Sequence, residues 1–235
     1  MLRDFVVGAV AEITRRAQAG FELKPHEVLI DAQPEDLASK YAEVLDEASQ
    51  RRTIRLSQPD RSAKSKLLRS LGAEDLGDAL KRYRKRLEHG DVSLDELLSP
   101  LAKASWDDSA ARGTLKLGVE PKIPAFQLFK LNYYAGKRSY LQPRYVDADI
   151  YLDLHYTVLA LTGATLSRVG TTEDGKLTVY LIMLDPGAYE LHRRLSGLLS
   201  EVRCRTAPST VFEVALALEL ARPGVHPLRL AEVNE

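Results

Sequence analysis

Through the first hundred residues, apolar side chains recur three and four positions apart and are interrupted by glycine or proline, a rhythm that dictates a string of short helices. Leu2, Phe5, Val6, Ala9, Val10 and Ile13 form the first stripe, with Gly20 as its stop. Pro34-Glu35-Asp36 opens a second helix, since proline suits the first turn and two acids complement the dipole there. Its apolar side is Leu37, Tyr41, Val44 and Leu45. A third helix is expected from Ser62 to Leu71 with Gly72 as C-terminal stop. The fourth runs from Glu74 to Leu87 on the stripe Leu76, Leu80, Tyr83 and Leu87. Ser93 and Glu96 make a capping box for a fifth.

Between Asp107 and Pro124 the rhythm breaks at Gly113, Gly118, Pro121 and Pro124. Beyond it the pattern is mixed. From Val146 to Leu154 apolar residues occupy the even positions, and Asp147, Asp149, Tyr151 and Asp153 the odd ones, which predicts a half-buried strand. Ala164–Val169 and Lys176–Leu184 flank an Asp-Gly turn and predict a hairpin. Helices are expected over 188–202 and 209–221, and a short strand over 228–233. The expected class is α+β: a helical region over 1–106, a linker over 107–121, and a region over 122–235 with a small antiparallel sheet and packed helices. A single domain overall is the alternative.

At 235 residues, 45% of them hydrophobic, the chain is long enough to bury a sizeable core. No apolar stretch approaches the roughly 20 residues that span a bilayer, so no membrane partner is expected. Met1-Leu2-Arg3-Asp4 does not read as a secretion signal. Cys204 is the lone cysteine, which excludes an intrachain disulfide and a cysteine-based zinc cluster and points to the cytoplasm. Asparagine and methionine occur twice each while 28% of residues are charged, a balance found in proteins from hot environments and also produced by GC-rich genomes. Net charge is zero, so any attraction to polyanions must come from local segregation.

Such segregation exists in two tracts. Arg51, Arg52, Arg55, Arg61, Lys64, Lys66, Arg69, Lys81, Arg82, Arg84, Lys85 and Arg86 stand against only Asp60, Glu74, Asp75 and Asp78. That density can neutralise several phosphates and release their counterions. The segment Asp31–Glu47 is as clearly acidic, so mutual pairing of the two segments is the competing reading. The second tract, Lys122–Arg144, holds Lys122, Lys130, Lys137, Arg138 and Arg144 and no acid. Phe126, Phe129, Tyr133, Tyr134, Tyr140 and Tyr145 are interleaved or adjacent. Cations with stacking faces suit single strands, although Phe126, Phe129 and Tyr133 also recur at helical spacing. From the two tracts, Arg51, Arg52, Arg55, Lys64, Lys66, Arg69, Lys81, Arg82, Arg84, Lys85, Arg86, Lys137, Arg138, Arg144, Tyr133 and Tyr140 are the expected nucleic-acid-binding residues.

The most enzyme-like cluster is Asp147, Asp149, Asp153 and His155, which a continuous strand would project from one face. A strand at about 3.3 Å per residue sets Asp147 and Asp153 about 20 Å apart, too far to share an ion. The other histidines lack metal-site spacing, and no glycine-rich phosphate cradle or nucleophile elbow is present. Cys204, between two arginines, reads as an inert thiol at a helix end. No cofactor, metal or catalytic residue is expected.

The run Tyr151-Leu-Asp-Leu-His-Tyr-Thr-Val-Leu-Ala-Leu-Thr-Gly163, the hairpin to Leu184, the helix Pro208–Ala221 and the tail Pro227–Val233 together resemble the large subunit of archaeal type I-A CRISPR interference complexes. The resemblance implies a non-enzymatic subunit of an antiviral complex. Such a subunit assembles with guide RNA and other protein subunits and meets target DNA beside the guide-paired region. No functional residue carries over by position. A nucleic-acid-binding subunit, contacting RNA or DNA largely without regard to sequence, is thus the first expectation. A structural assembly protein is the second, and a metal-dependent nuclease centred on Asp149 and Asp153 the third.

Overall fold

The computed structural model describes residues 2–24, 28–51, 54, 56–92, 105–107, 114–118, 120, 122–130, 149–171, 177–202 and 228–234. Helix α1 (Leu2–Ala17) leads into a two-stranded hairpin, β1 (Gly20–Leu23) and β2 (Val28–Asp31). Helices α2 (Pro34–Gln50), α3 (Arg61–Leu71) and α4 (Leu76–Glu88) follow. A four-stranded sheet comes next, built of β3 (Ser105–Asp107), β4 (Thr114–Leu117), β5 (Ile123–Pro124) and β6 (Asp149–Leu152) in the order β3-β4-β6-β5. Among the described residues, only β4 and β6 run parallel. Helix α5 (Leu154–Ser167) then enters β7 (Arg168–Thr171), and β8 (Leu177–Met183), helix α6 (Tyr189–Val202) and β9 (Leu228–Asn234) complete the order. Strands β7, β8 and β9 form an antiparallel sheet. The protein is therefore α+β, with a helical N-terminal half and small sheets in the C-terminal half.

The four N-terminal stripes fold as their spacing requires. Leu76, Ala79, Leu80, Tyr83 and Leu87 are the buried side of α4, and Asp75 caps it by accepting from the Asp78 amide at 2.8 Å. Gly72 ends α3 at φ 65°, a left-handed geometry that glycine takes without strain. At the end of α1 that turn falls on Gln18, φ 54°, ahead of Gly20, which instead begins β1.

Helix α5 is the spine. It is buried at eleven of its fourteen positions because α1, α2 and β8 all pack on it. Its threonines survive burial by returning hydroxyls to carbonyls one turn back: Thr157 to Asp153, Thr162 to Val158 and Thr165 to Leu161, at 2.6–2.8 Å. Where α1 crosses it, a methyl added to Gly163 would sit 1.9 Å from the Phe5 carbonyl oxygen, so the crossing demands glycine. One apolar cluster joins Phe5 and Tyr41 to Leu117, Phe126, Leu159 and Tyr180. It therefore draws on both sides of the 107–121 stretch, and β4, inside that stretch, is laddered to β6. Among the described residues, no helix is long and apolar enough to cross a membrane.

Two expectations are corrected here. The strand expected from Val146 to Leu154 ends at Leu152, because Asp153 turns the chain into α5 by accepting from the Tyr156 amide at 2.6 Å. The first arm of the hairpin begins at Arg168, since Ala164–Ser167 are the last turn of α5. The helix expected from Ser93 and the helix over 209–221 lie outside the described residues.

Candidate nucleic-acid interface

Helix α4 has two flanks of different character. At about 100° per residue, Arg84 and Glu88 fall on one side of its buried stripe and Arg82 and Arg86 on the other. The first side looks across a groove of about 770 Å³ at α2. There Arg84 pairs with Asp46 and, at 3.4 Å, with Glu88. Carboxylates predominate in this groove, with Glu43 and Glu47 beside Asp46 and Glu88.

The same acidic helix anchors a second network. Glu47 binds both Arg16 and Arg51, and Glu12 binds Arg15 and Arg16 at 2.8 Å each. Burial alone would raise the Glu12 pKa, but the hydrogen bonds from the two guanidiniums outweigh it and hold the carboxyl below its ordinary range. Arg15 also stacks on Tyr189, its guanidinium carbon 3.8 Å from the ring centroid. Arg51 and Arg84 were expected to meet phosphate. In the fold they pair with Glu47 and Asp46.

The other flank of α4 faces α3. Arg86 donates to the Ser70 carbonyl at 3.0 Å, and Arg82 binds Asp78 at 2.8 Å while reaching toward Gly72. Hydrogen bonds from the Glu74 amide and from Arg82 lower the Asp78 pKa. On α3 the buried side is Ala63, Leu67 and Leu71. Lys66 leaves on the flank toward β5, with Nζ 3.5 Å from the Lys122 carbonyl, and Arg69 projects outward. Lys64 lies on the opposite flank and does not join them. Lys81 and Lys85 are exposed on the outer side of α4. Among the described residues, no carboxylate is within ion-pair distance of Lys64, Lys66, Arg69, Lys81, Lys85 or Arg86. Lys66, Arg69, Lys81, Lys85 and Arg86 therefore lack a carboxylate partner among the described residues, whereas Arg82 is taken up by Asp78.

The second tract contributes differently. Phe126 and Phe129 are 0% and 3% exposed and stack edge-on with centroids 5.5 Å apart, so they are core and no platform for bases. Lys130 is buried too. Arg52, Arg55, Tyr133, Lys137, Arg138, Tyr140 and Arg144 lie outside the described residues.

A cavity of about 380 Å³ opens beside this surface, where α3, β5 and the start of α5 meet. Ser70, Glu120, Lys122, Ile123, Asp153, Leu154 and His155 line it. His155 stands on the first turn of α5, its Nδ1 2.7 Å from the hydroxyl of the fully buried Tyr83. Glu120 accepts from Lys122 at 2.6 Å, a hydrogen bond that lowers its pKa. Asp153 is capped inward and lies against Gly118, where an added Cβ would be 2.1 Å from its Oδ2. Among the described residues, no group of three or more histidine, cysteine or carboxylate side chains is placed to hold a metal ion. Sequence reasoning singled out Asp153 and His155 but as members of a strand face. Ser70, Tyr83 and Glu120 carry no chain-order signal that links them to the site. Compared with family models, with curated proteins and with solved structures, the chain finds no match.

Proposed function

We propose that this chain is a cytoplasmic, non-enzymatic subunit of a multi-protein complex that holds the phosphate backbone of a nucleic acid along α3 and α4. The observation that carries the reading is the cluster of cations on that surface without carboxylate partners among the described residues, in a chain whose formal charge is zero. Each phosphate neutralised there releases counterions, a gain that does not depend on base sequence. Under the resemblance to the large subunit of type I-A CRISPR interference complexes, the polyanion is target DNA beside the guide-paired region.

Fluorescence anisotropy with labelled single- and double-stranded oligonucleotides tests the proposal. Contacts from five side chains predict a slope of log affinity against log salt of about −3.5 for single strands, at about −0.7 per phosphate. Undetectable or salt-insensitive binding sinks the reading in favour of an assembly protein whose charged faces meet other proteins.

A further inference from the structure

We propose that the cavity between α3, β5 and α5 receives one unstacked base of a single strand lying on the α3–α4 surface, and that it selects a base with a ring N–H beside an exocyclic amino group, the edge of guanine. The inference rests on the phosphate-binding reading of that surface and adds to it a site for the base. Three observations support it.

The first is position. Arg86 donates to the carbonyl of Ser70 and Lys66 reaches the carbonyl of Lys122, and both Ser70 and Lys122 line the cavity. A strand whose phosphates meet Lys66 and Arg86 passes directly over its mouth. The second is the lining. At about 380 Å³ the cavity falls in the roughly 300–1,000 Å³ range of small-molecule sites. Ile123 and Leu154 supply apolar surface for a flat ring, and both donors and acceptors are among the lining residues. Glu120 accepts and Lys122 donates. The Ser70 hydroxyl already gives its proton to the Lys66 carbonyl at 2.9 Å, which leaves its oxygen as an acceptor. Two carboxylates in the lining oppose a phosphate in this place. A ring N–H and its neighbouring amino group match one carboxylate through two parallel hydrogen bonds. Glu120 retains that capacity beside Lys122, because each carboxylate oxygen accepts more than one hydrogen bond.

The third observation is preorganisation. Tyr83 fixes His155 from behind through Nδ1, so Nε2 is the ring nitrogen left for the cavity, and the buried tyrosine holds its orientation before any ligand arrives. Single strands are read in this way, by splaying a base from its stack and matching its pairing edge.

The experiment compares an eight-nucleotide thymidine strand with the same strand carrying one central guanine, by anisotropy at matched salt. The guanine strand is expected to bind about tenfold more tightly, the discrimination of one good bidentate contact. Glu120→Gln and Ser70→Phe, both at exposed positions where folding is readily checked by circular dichroism, are each expected to bring that ratio close to one. Equal affinity of the two strands with a steep salt slope overturns the base site while leaving the phosphate surface standing. A guanine preference that persists in both variants also overturns it, because the discrimination then arises elsewhere. Absence of salt-dependent binding to either strand removes the phosphate surface and the base site together.

Discussion

Arg15, Arg16, Arg51 and Arg84 and the cations on the outside of α3 and α4 belong to one chain of balanced charge, yet they occupy opposite settings. In the first group Arg16 and Arg84 tie α1 and α4 to α2 through Glu47 and Asp46, while Arg15 and Arg51 pair one turn away with Glu12 and Glu47. Lys66, Arg69, Lys81 and Lys85 stand exposed, without a carboxylate partner among the described residues. Partly buried pairs clamp helices together, because removing one partner strands the other charge in a poorly solvated place. Exposed cations contribute almost nothing to folding. A zero net charge hides them because α2 carries compensating acids at Glu35, Asp36, Glu43, Asp46 and Glu47.

The sharpest break of this contrast is charge reversal. Lys66→Glu, Arg69→Glu and Lys85→Glu together are expected to weaken oligonucleotide binding roughly a hundredfold at low salt and to flatten the salt slope by about 2. Thermal melting is expected to change little. An equal loss from Arg84→Glu alone would erase the distinction between the two groups.

The converse substitution reads stability. Glu12→Ala leaves Arg15 without its carboxylate and Arg16 with only Glu47, and is expected to cost about 2 kcal/mol in urea denaturation, the scale of hydrogen bonds to charged groups. Oligonucleotide affinity should hold. The same residue fixes a pH dependence. Its folded pKa lies below the ordinary 4.5, so its stabilisation is complete above that value and is lost as pH falls through the folded pKa. Denaturation midpoints of the native chain and Glu12→Gln, followed from neutral pH downward, should therefore draw together as the pH falls through the folded pKa of Glu12. A gap that stays constant with pH would mean that Glu12 acts through packing instead of charge.

How much of this was legible in the chain depends on whether an element has a wet side. Helices α1 to α4 do, so Leu76, Leu80, Tyr83 and Leu87 announce α4 by spacing alone. Helix α5 is covered nearly all round, which flattens its period, and the alternation leading into it extends the apparent strand past the cap at Asp153. The hairpin of β1 and β2 escaped because each strand has four residues, too few to assert a period of two next to the stripe of α1. Both basic tracts were visible as charge, but which cations are neutralised depends on contacts such as Arg84 with Asp46, 38 positions apart. The cavity was least legible of all: Tyr83 and His155 are 72 residues apart and meet only once α4 packs on α5.

The smallest expected effect is the most diagnostic. Lys85 projects from the outer side of α4 with no carboxylate partner among the described residues, so Lys85→Ala removes no ion pair and opens no cavity. Alanine is also a stronger helix former, and the change in folding free energy should stay within about 0.5 kcal/mol. If Lys85 touches one phosphate, the same substitution lowers the salt slope for a single strand by about 0.7. A side chain neutral to folding but counted in counterion release is the signature of a surface kept for a polyanion. Were Lys85→Ala to shift the melting midpoint by several degrees and leave the slope unaltered, the lysine would belong with Arg84 among the cations that hold the helices together.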